Sequence, residues 1–205
     1  MLRITGGRFR GRKLAPLAGR DVRPSPSRLR QAVFDILHEV DGLRVLDLFC
    51  GAGTFGFEAL SRGATSVTFV DRSPRSLSIV RRNADLLGAT ESVRLLHADA
   101  LKPSPRVLEA LAEPFDLAYL DPPFAMFGVP EDRRALANLL ERIASADVGP
   151  APGRIGIEHP SRKDPPDAPT GFEAAEPRRF GDCAVTLFQR APASAQPGPA
   201  TPSGP

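Results

Sequence analysis

The chain has 205 residues, with no tryptophan, one tyrosine, two methionines, three histidines and two cysteines. Each shortage narrows what it can be. Cys50 and Cys183 stand far apart in apolar, strand-like stretches. A disulfide framework is therefore excluded, and a reduced, cytoplasmic setting is expected. Both thiols read as small buried core groups. His38, His97 and His159 lie in unrelated segments. No His/Cys pair has metal-ligand spacing, so no metal site is expected. No apolar run approaches the roughly 20 residues that span a bilayer. The amino terminus lacks the apolar segment of a secretory signal, and no internal repeat is visible. Proline (22) and glycine (18) are plentiful, and the 41% apolar fraction can build one sizeable core.

Charge is nearly balanced at +3, yet unevenly placed. Residues 1–30 hold nine cations (Arg3, Arg8, Arg10, Arg12, Lys13, Arg20, Arg23, Arg28, Arg30) and one acid, Asp21, so they carry +8 and the remainder −5. A basic arm on a mildly acidic body suggests a polyanion, with nucleic acid the usual partner. A solvated arm without a partner is the plainer alternative.

Read in order, residues 2–14 suggest two short strands joined through glycines, with Phe9 able to stack on a base or to pack on the body. Residues 16–26 read as a loop. Ser27, or Ser25 ahead of Pro26, can cap a helix with an apolar stripe of Leu29, Val33, Phe34, Ile36 and Leu37. Arg28 and Arg30 in its first turn oppose the helix dipole, which hints at a phosphate ligand. Residues 43–49 form a strand that runs into Cys50-Gly51-Ala52-Gly53-Thr54-Phe55-Gly56, then a helix from Phe57. Strand, glycine turn and helix open a nucleotide-binding doubly wound sheet. Further strands are expected at 65–70, 93–97, 115–120 and 154–158, with helices at 74–87, 104–113 and 131–146. Residues 159–171 hold four prolines and read as a rigid loop. A weak strand from Phe172 and a strong one at 184–188 should pair antiparallel, since Gly181-Asp182 offers a turn between them. From Ala191 onward, Ala, Pro, Ser and Gly dominate, as in disordered segments.

Asp121-Pro122-Pro123-Phe124 closes the strand at 115–120, because neither proline can continue a ladder. Gly51-x-Gly53-x-x-Gly56 alone fits a dinucleotide site. Asp47, four residues before the first glycine, and the Asp-Pro-Pro-Phe motif argue against that reading. S-adenosylmethionine suits the acids better: Asp47 for its cationic amine, Asp71 for the ribose hydroxyls and Asp99 for the adenine N6 amine. Capping of the following helices is the plainer role for each acid. Phe49, Gly51, Gly53, Arg72 and Ala100 complete the expected cofactor site. An exocyclic base amine is a poor nucleophile. Asp121 and a carbonyl held by Pro122 and Pro123 can accept its N–H bonds and free its lone pair, while Phe124 stacks on the base, worth roughly 1–3 kcal/mol.

Asp/Asn-Pro-Pro-aromatic with Asp47-x-Phe49-x-Gly51-x-Gly53 resembles the amino-methyltransferases that act on adenine N6, cytosine N4 or guanine N2. From residue 2 to about 190 the chain further resembles the bacterial 16S ribosomal RNA guanine-N2 methyltransferase D family. The matching stretches are Arg3-Ile4-x-Gly6-Gly7 with Gly11-Arg12-x-Leu14, Arg23-Pro24-Ser25 with Arg28-x-Arg30, Phe49 to Ala64, and Asp121 to Phe124. The resemblance implies methylation of one guanine N2 in small-subunit rRNA, with S-adenosylmethionine as cofactor and 16S rRNA or the small subunit as partner. It also implies an α/β, doubly wound, mostly parallel seven-stranded Rossmann-like methyltransferase sheet with an antiparallel C-terminal strand. A small N-terminal β-hairpin/helix extension at 1–40 would bind RNA through Arg8, Arg10, Arg12, Lys13, Arg23, Arg28 and Arg30. The catalytic domain would span 41–190 and a tail 191–205, in a monomer. Ser25, Ser27, Gln31 and Asp35 depart from the family's usual Thr, Asp, Glu and Asn, and Cys50 and Ala52 from its Ala and Ser. Loss of acids at 27 and 31 leaves Arg28 and Arg30 less neutralised. The open alternatives are a DNA or RNA adenine-N6 methyltransferase, a non-enzymatic RNA-binding assembly factor and an NAD-dependent oxidoreductase.

Overall fold

Two hydrophobic periods alternate along the chain, and each folds as its geometry requires. The computed structural model describes residues 2–17, 27–37, 39–146 and 154–191. In chain order they form α1 (Ser27–Leu37), β1 (Arg44–Leu48), α2 (Thr54–Ser61), β2 (Ser66–Asp71), α3 (Pro74–Leu87), β3 (Val93–His97), α4 (Pro105–Ala112), β4 (Leu117–Leu120), α5 (Pro130–Ser145), β5 (Arg154–Pro160), β6 (Phe172–Ala174), β7 (Arg178–Phe180) and β8 (Cys183–Arg190). Local chemistry sets several ends. Ser73 caps α3 by accepting from the Ser76 amide, Pro74 opens the helix, and Gly88 closes it in the left-handed region. Ser104 and Pro105 start α4 in the same way.

The strands form one sheet in the order β3-β2-β1-β4-β5-β8-β6, with β7 also on β8. β1 to β5 are parallel, so their carboxyl ends share one edge. β8 runs antiparallel to β5, β6 and β7. Side chains alternate between two cores. Val45, Val67, Phe69, Leu117 and Tyr119 pack with α1, α2 and α3 on one face. Leu46, Leu48, Ala118, Leu120, Ile155 and Ile157 pack with α4 and α5 on the other. The result is a three-layer sandwich with the parallel strands buried on both faces.

Four expectations change in detail. Among the described residues the sheet has eight strands rather than seven. The expected weak strand divides into β6 and β7 along the same edge of β8, because Pro177 cannot donate to the ladder. β5 runs on to Pro160, into the stretch read as loop. The helix expected from Phe57 begins at Thr54, since the Phe57 amide already donates to the Gly53 carbonyl.

The expected amino-terminal hairpin contracts to one antiparallel bridge, Arg3 with Lys13, closed by Ile4 N–H to Arg12 O and Gly11 N–H to Ile4 O. Leu2, Ile4 and Leu14 join the same core as α1, α2 and β1. One continuous core thus runs across the boundary expected near residue 40. Ser25, Pro26 and all but Ala191 of the expected tail lie outside the described residues.

Candidate functional site

β1 lies between β2 and β4, where the sheet reverses its order of connection. Open α/β sheets bind ligands at that point, outside the carboxyl ends. Here the chain leaves β1 through Phe49, a non-glycine residue with φ of 57°, and Gly51, with φ of 54°. The outward direction at Gly51 is open: a Cβ built there meets nothing within 4 Å. Gly53 then caps α2 in the left-handed region.

The acids gather along this edge. Asp47 is buried, and its Oδ2 accepts from the Gly56 amide at 3.0 Å. Burial pushes its carboxyl up to about 7; the Gly56 bond opposes this and the charge of Asp71 adds to it. Asp71 ends β2 and accepts from the Gly51 amide at 2.9 Å and the Ser73 amide at 2.8 Å. It therefore holds the glycine turn in place and still has lone pairs to offer. Asp99 follows β3, with Oδ1 accepting from the Leu101 amide at 3.2 Å and Oδ2 lying 3.8 Å from Lys102 Nζ. Ala100 beside it is buried. Arg72 is exposed, and its carbonyl lies 3.0 Å from His97 Nε2.

Asp121 follows β4 directly. Its amide donates to the Leu48 carbonyl at 3.2 Å, fastening the end of β4 to the end of β1. Pro122 is buried, Pro123 exposed and Phe124 half-buried at the start of a 3-10 turn. The turn is closed by Met126 N–H to Pro123 O at 3.0 Å. The motif and the glycine turn, distant in sequence, are thus neighbours.

Sequence reasoning passed over the support beneath the motif. Tyr119 stacks on Phe55 of α2 with centroids 3.7 Å apart and planes 5° from parallel, and Phe55 stacks on Phe34 of α1. The Tyr119 hydroxyl donates to Glu158 Oε2 at 3.4 Å. Burial raises the phenol well above its ordinary range, and Glu158, Asp121 and Asp47 raise it further. Strand alternation could have found this residue, which stands two before Asp121 and shares its face.

Of the seven cations expected to meet RNA, Arg8, Arg10, Arg12, Lys13 and Arg28 are exposed. Arg8 lies over the Phe9 ring, 4.6 Å from its centroid, while Phe9 itself packs on the core. Arg12 reaches the Leu86 and Leu87 carbonyls and caps α3, a favourable place for a cation. Arg23 lies outside the described residues. Arg30 corrects the expectation of a phosphate contact: it is 3% exposed, and its Nη2 donates inward to the Arg3 carbonyl at 2.9 Å. Its spacing to Val33, Phe34 and Leu37 puts it on the buried face of α1. Burial lowers its pKa, opposed by Glu58.

Glu58 was not singled out either. Fully buried, it accepts from Thr5 N at 2.8 Å, Thr5 Oγ1 at 2.6 Å, Gly6 N at 2.8 Å and Arg62 Nε at 3.0 Å. Ser61 adds a bond to the Gly6 carbonyl and one from the Phe9 amide. α2 therefore carries the glycine turn at one end and the basic arm at the other.

The strand order, the glycine turn and the acids at the strand ends define a Rossmann-like α/β protein of the type found among methyltransferases. The chain belongs to the family described as conserved hypothetical protein 95, which it matches over residues 2–189. It is 30% identical over 191 residues to ribosomal RNA small subunit methyltransferase D of Escherichia coli K12, covering 92% of this chain and 90% of that one. Among solved structures, the candidate methyltransferase yhhF of Escherichia coli superposes with a TM-score of 0.72 at 26% identity, over 92% of this chain and 97% of that one. A hypothetical protein of Thermus thermophilus, TTHA0928, gives a TM-score of 0.69 at 29% identity, over 91% and 98%.

Proposed function

We propose that this protein methylates ribosomal RNA, transferring a methyl group from S-adenosylmethionine to the exocyclic N2 amine of a guanine in 16S rRNA, free or within the small subunit, and that it acts as a monomer. One observation carries the reading. The Asp121-Pro122-Pro123-Phe124 motif is bonded through the Asp121 amide to the end of β1, beside the glycine turn. The name of the Escherichia coli relative supports the choice of small-subunit rRNA.

The residues present suit the cofactor. Gly51 leaves an open face, and Asp47, Asp71 and Asp99 are acceptors suited to a cation, a diol and an aromatic amine in turn. When bound, S-adenosylmethionine supplies an electrophilic methyl group on a sulfonium. Asp47 would neutralise its amine, Asp71 hold the ribose and Asp99 accept from adenine N6. Asp121 and the Pro122 carbonyl would accept the two N–H bonds of the target amine and free its lone pair for the methyl group. Asp121 would also take the proton that the amine sheds on methylation. Phe124 stacks on the base, which has left its helix. Orientation supplies most of the rate, and proton removal a factor of about 10²–10⁴. The exposed cations of the arm and Arg28 hold phosphates.

Asp121→Ala should lower methyl transfer at least about 10³-fold while RNA affinity stays within about twofold. The test is incorporation of labelled methyl into small-subunit rRNA, with digestion to nucleosides. N2-methylguanosine as product is expected. N6-methyladenosine, or incorporation into DNA alone, would reassign the substrate. Full activity in the Asp121 variant would remove the motif from catalysis.

A further inference from the structure

Past His97 the turn after β3 keeps the main-chain bond from Ala98 N–H to the Asp71 carbonyl, at 3.1 Å. Beyond that bond it is braced from α5, through Arg142. Nη2 of that guanidinium donates to the Ala100 carbonyl at 3.2 Å and the Leu101 carbonyl at 3.0 Å, while Nε donates to Asn138 O at 3.3 Å within its own helix. The two carbonyls belong to consecutive peptide units whose N–H groups both point back at Asp99. The Leu101 N–H donates to Asp99 Oδ1 at 3.2 Å, and the Lys102 N–H to Asp99 O at 3.0 Å.

A peptide unit is rigid and planar, so fixing its carbonyl fixes its N–H. We propose that Arg142 is the positioning residue for Asp99: it clamps two successive peptide planes whose amides aim the Asp99 carboxylate and main chain, and so sets the adenine end of the cofactor site. This rests on the cofactor reading given above. A cation on the carbonyl end also polarises each unit, which makes its N–H a stronger donor to Asp99. The guanidinium is partly desolvated, which lowers its pKa and strengthens bonds of this kind. Arg142 reaches no atom of the expected transfer site. Its effect should fall on cofactor binding rather than on the chemical step. α4 and α5 pack on one face of the sheet while the glycine turn leads into α2 on the other, so the cofactor would be held from both faces.

The test uses the full chain with Arg142→Gln and Arg142→Lys. In cofactor-free protein, amide hydrogen exchange at Leu101 and Lys102 should speed up at least about tenfold in Arg142→Gln and much less in Arg142→Lys, which keeps the charge and an N–H donor. By calorimetry, S-adenosylhomocysteine should bind Arg142→Gln about tenfold more weakly. Its inosyl analogue, whose O6 cannot donate to Asp99, should bind both proteins alike. The Asp99→Asn, Arg142→Gln double variant should lose no more than the worse single variant, as expected of groups acting in series. If Arg142→Gln melts early, Arg142→Lys and the exchange rates of α5 amides separate local loosening from unfolding. Unchanged exchange at Leu101 and Lys102, or equal loss for both ligands, overturns the proposal. If the parent protein binds neither ligand, the cofactor reading fails, and the exchange result still decides whether Arg142 holds the turn.

Discussion

Asp47 couples the site to pH. Its carboxyl is raised to about 7 in the folded chain against 3.8 when exposed, chiefly by burial. The folded state then binds a proton that the unfolded chain has lost, so the contribution is fully present below about pH 4 and is lost as pH rises toward 7. Asp47→Asn removes that dependence. Across this window, the stability of the parent relative to the variant should fall by up to about 4 kcal/mol, measured by urea denaturation at a series of pH values. Ligand affinity should move the other way. A cationic amine favours the ionised form, so binding in the parent strengthens up to about pH 7 and levels off. A flat stability difference would mean that Asp47 ionises normally despite its burial. Gly7 is as local a constraint. Its φ is +72°, and an added Cβ would lie 1.8 Å from the Ser61 carbonyl oxygen. Gly7→Ala should release the arm from α2 and cost more than about 2 kcal/mol.

At the scale of elements, α2 joins two jobs through Glu58. Glu58→Gln keeps the shape but removes the charge beside Arg62 and turns one acceptor into an NH2 group, which would face the Thr5 amide at Oε2, or the Thr5 hydroxyl, the Gly6 amide and Arg62 at Oε1. A loss of about 2–4 kcal/mol is expected, with faster proteolysis of residues 2–14; wild-type resistance in the variant would rule out this anchoring. These arrangements mark where sequence was informative. α3 and β3 were expected at their observed bounds, because Ser73, Pro74 and Gly88 carry their own conformational instructions. β6 and β7 were not resolved from each other, since two three-residue edge strands leave too short a pattern around Pro177. The four acids could be placed at one edge because parallel strands align their ends. The Glu58 anchor and the Arg142 clamp could not. Both depend on which helix faces which loop, and no periodicity within a single segment encodes that. Arg30 is the opposite case: the helical period alone puts it on the buried face with Val33, Phe34 and Leu37, whereas its charge suggests an outward position.

Across the whole molecule, charge and core are organised independently. The arm is the most basic stretch of the sequence, yet Leu2, Ile4 and Leu14 anchor it in the common core. Among the described residues Arg8, Arg10, Arg12 and Lys13 are thus presented on anchored backbone, which lowers the ordering cost of binding a polyanion. Replacing Arg8, Arg10 and Arg28 with Gln should flatten the salt dependence of rRNA affinity, reducing the slope of log K against log salt by about 2–3. Cofactor affinity should be unchanged, as read by filter binding and calorimetry. An unchanged slope would move the RNA-facing surface elsewhere. The core also supplies its own observer. Tyr119, the sole tyrosine of a chain without tryptophan, lies in the stack with Phe55 and Phe34, two residues before Asp121. Tyrosine emission, and near-ultraviolet dichroism beyond the phenylalanine bands, therefore arise from a single ring between α1, the helix that follows the glycine turn, and the Asp-Pro-Pro-Phe motif. Arrival of a ligand at any of the three can be followed optically, with no label and no engineered chromophore.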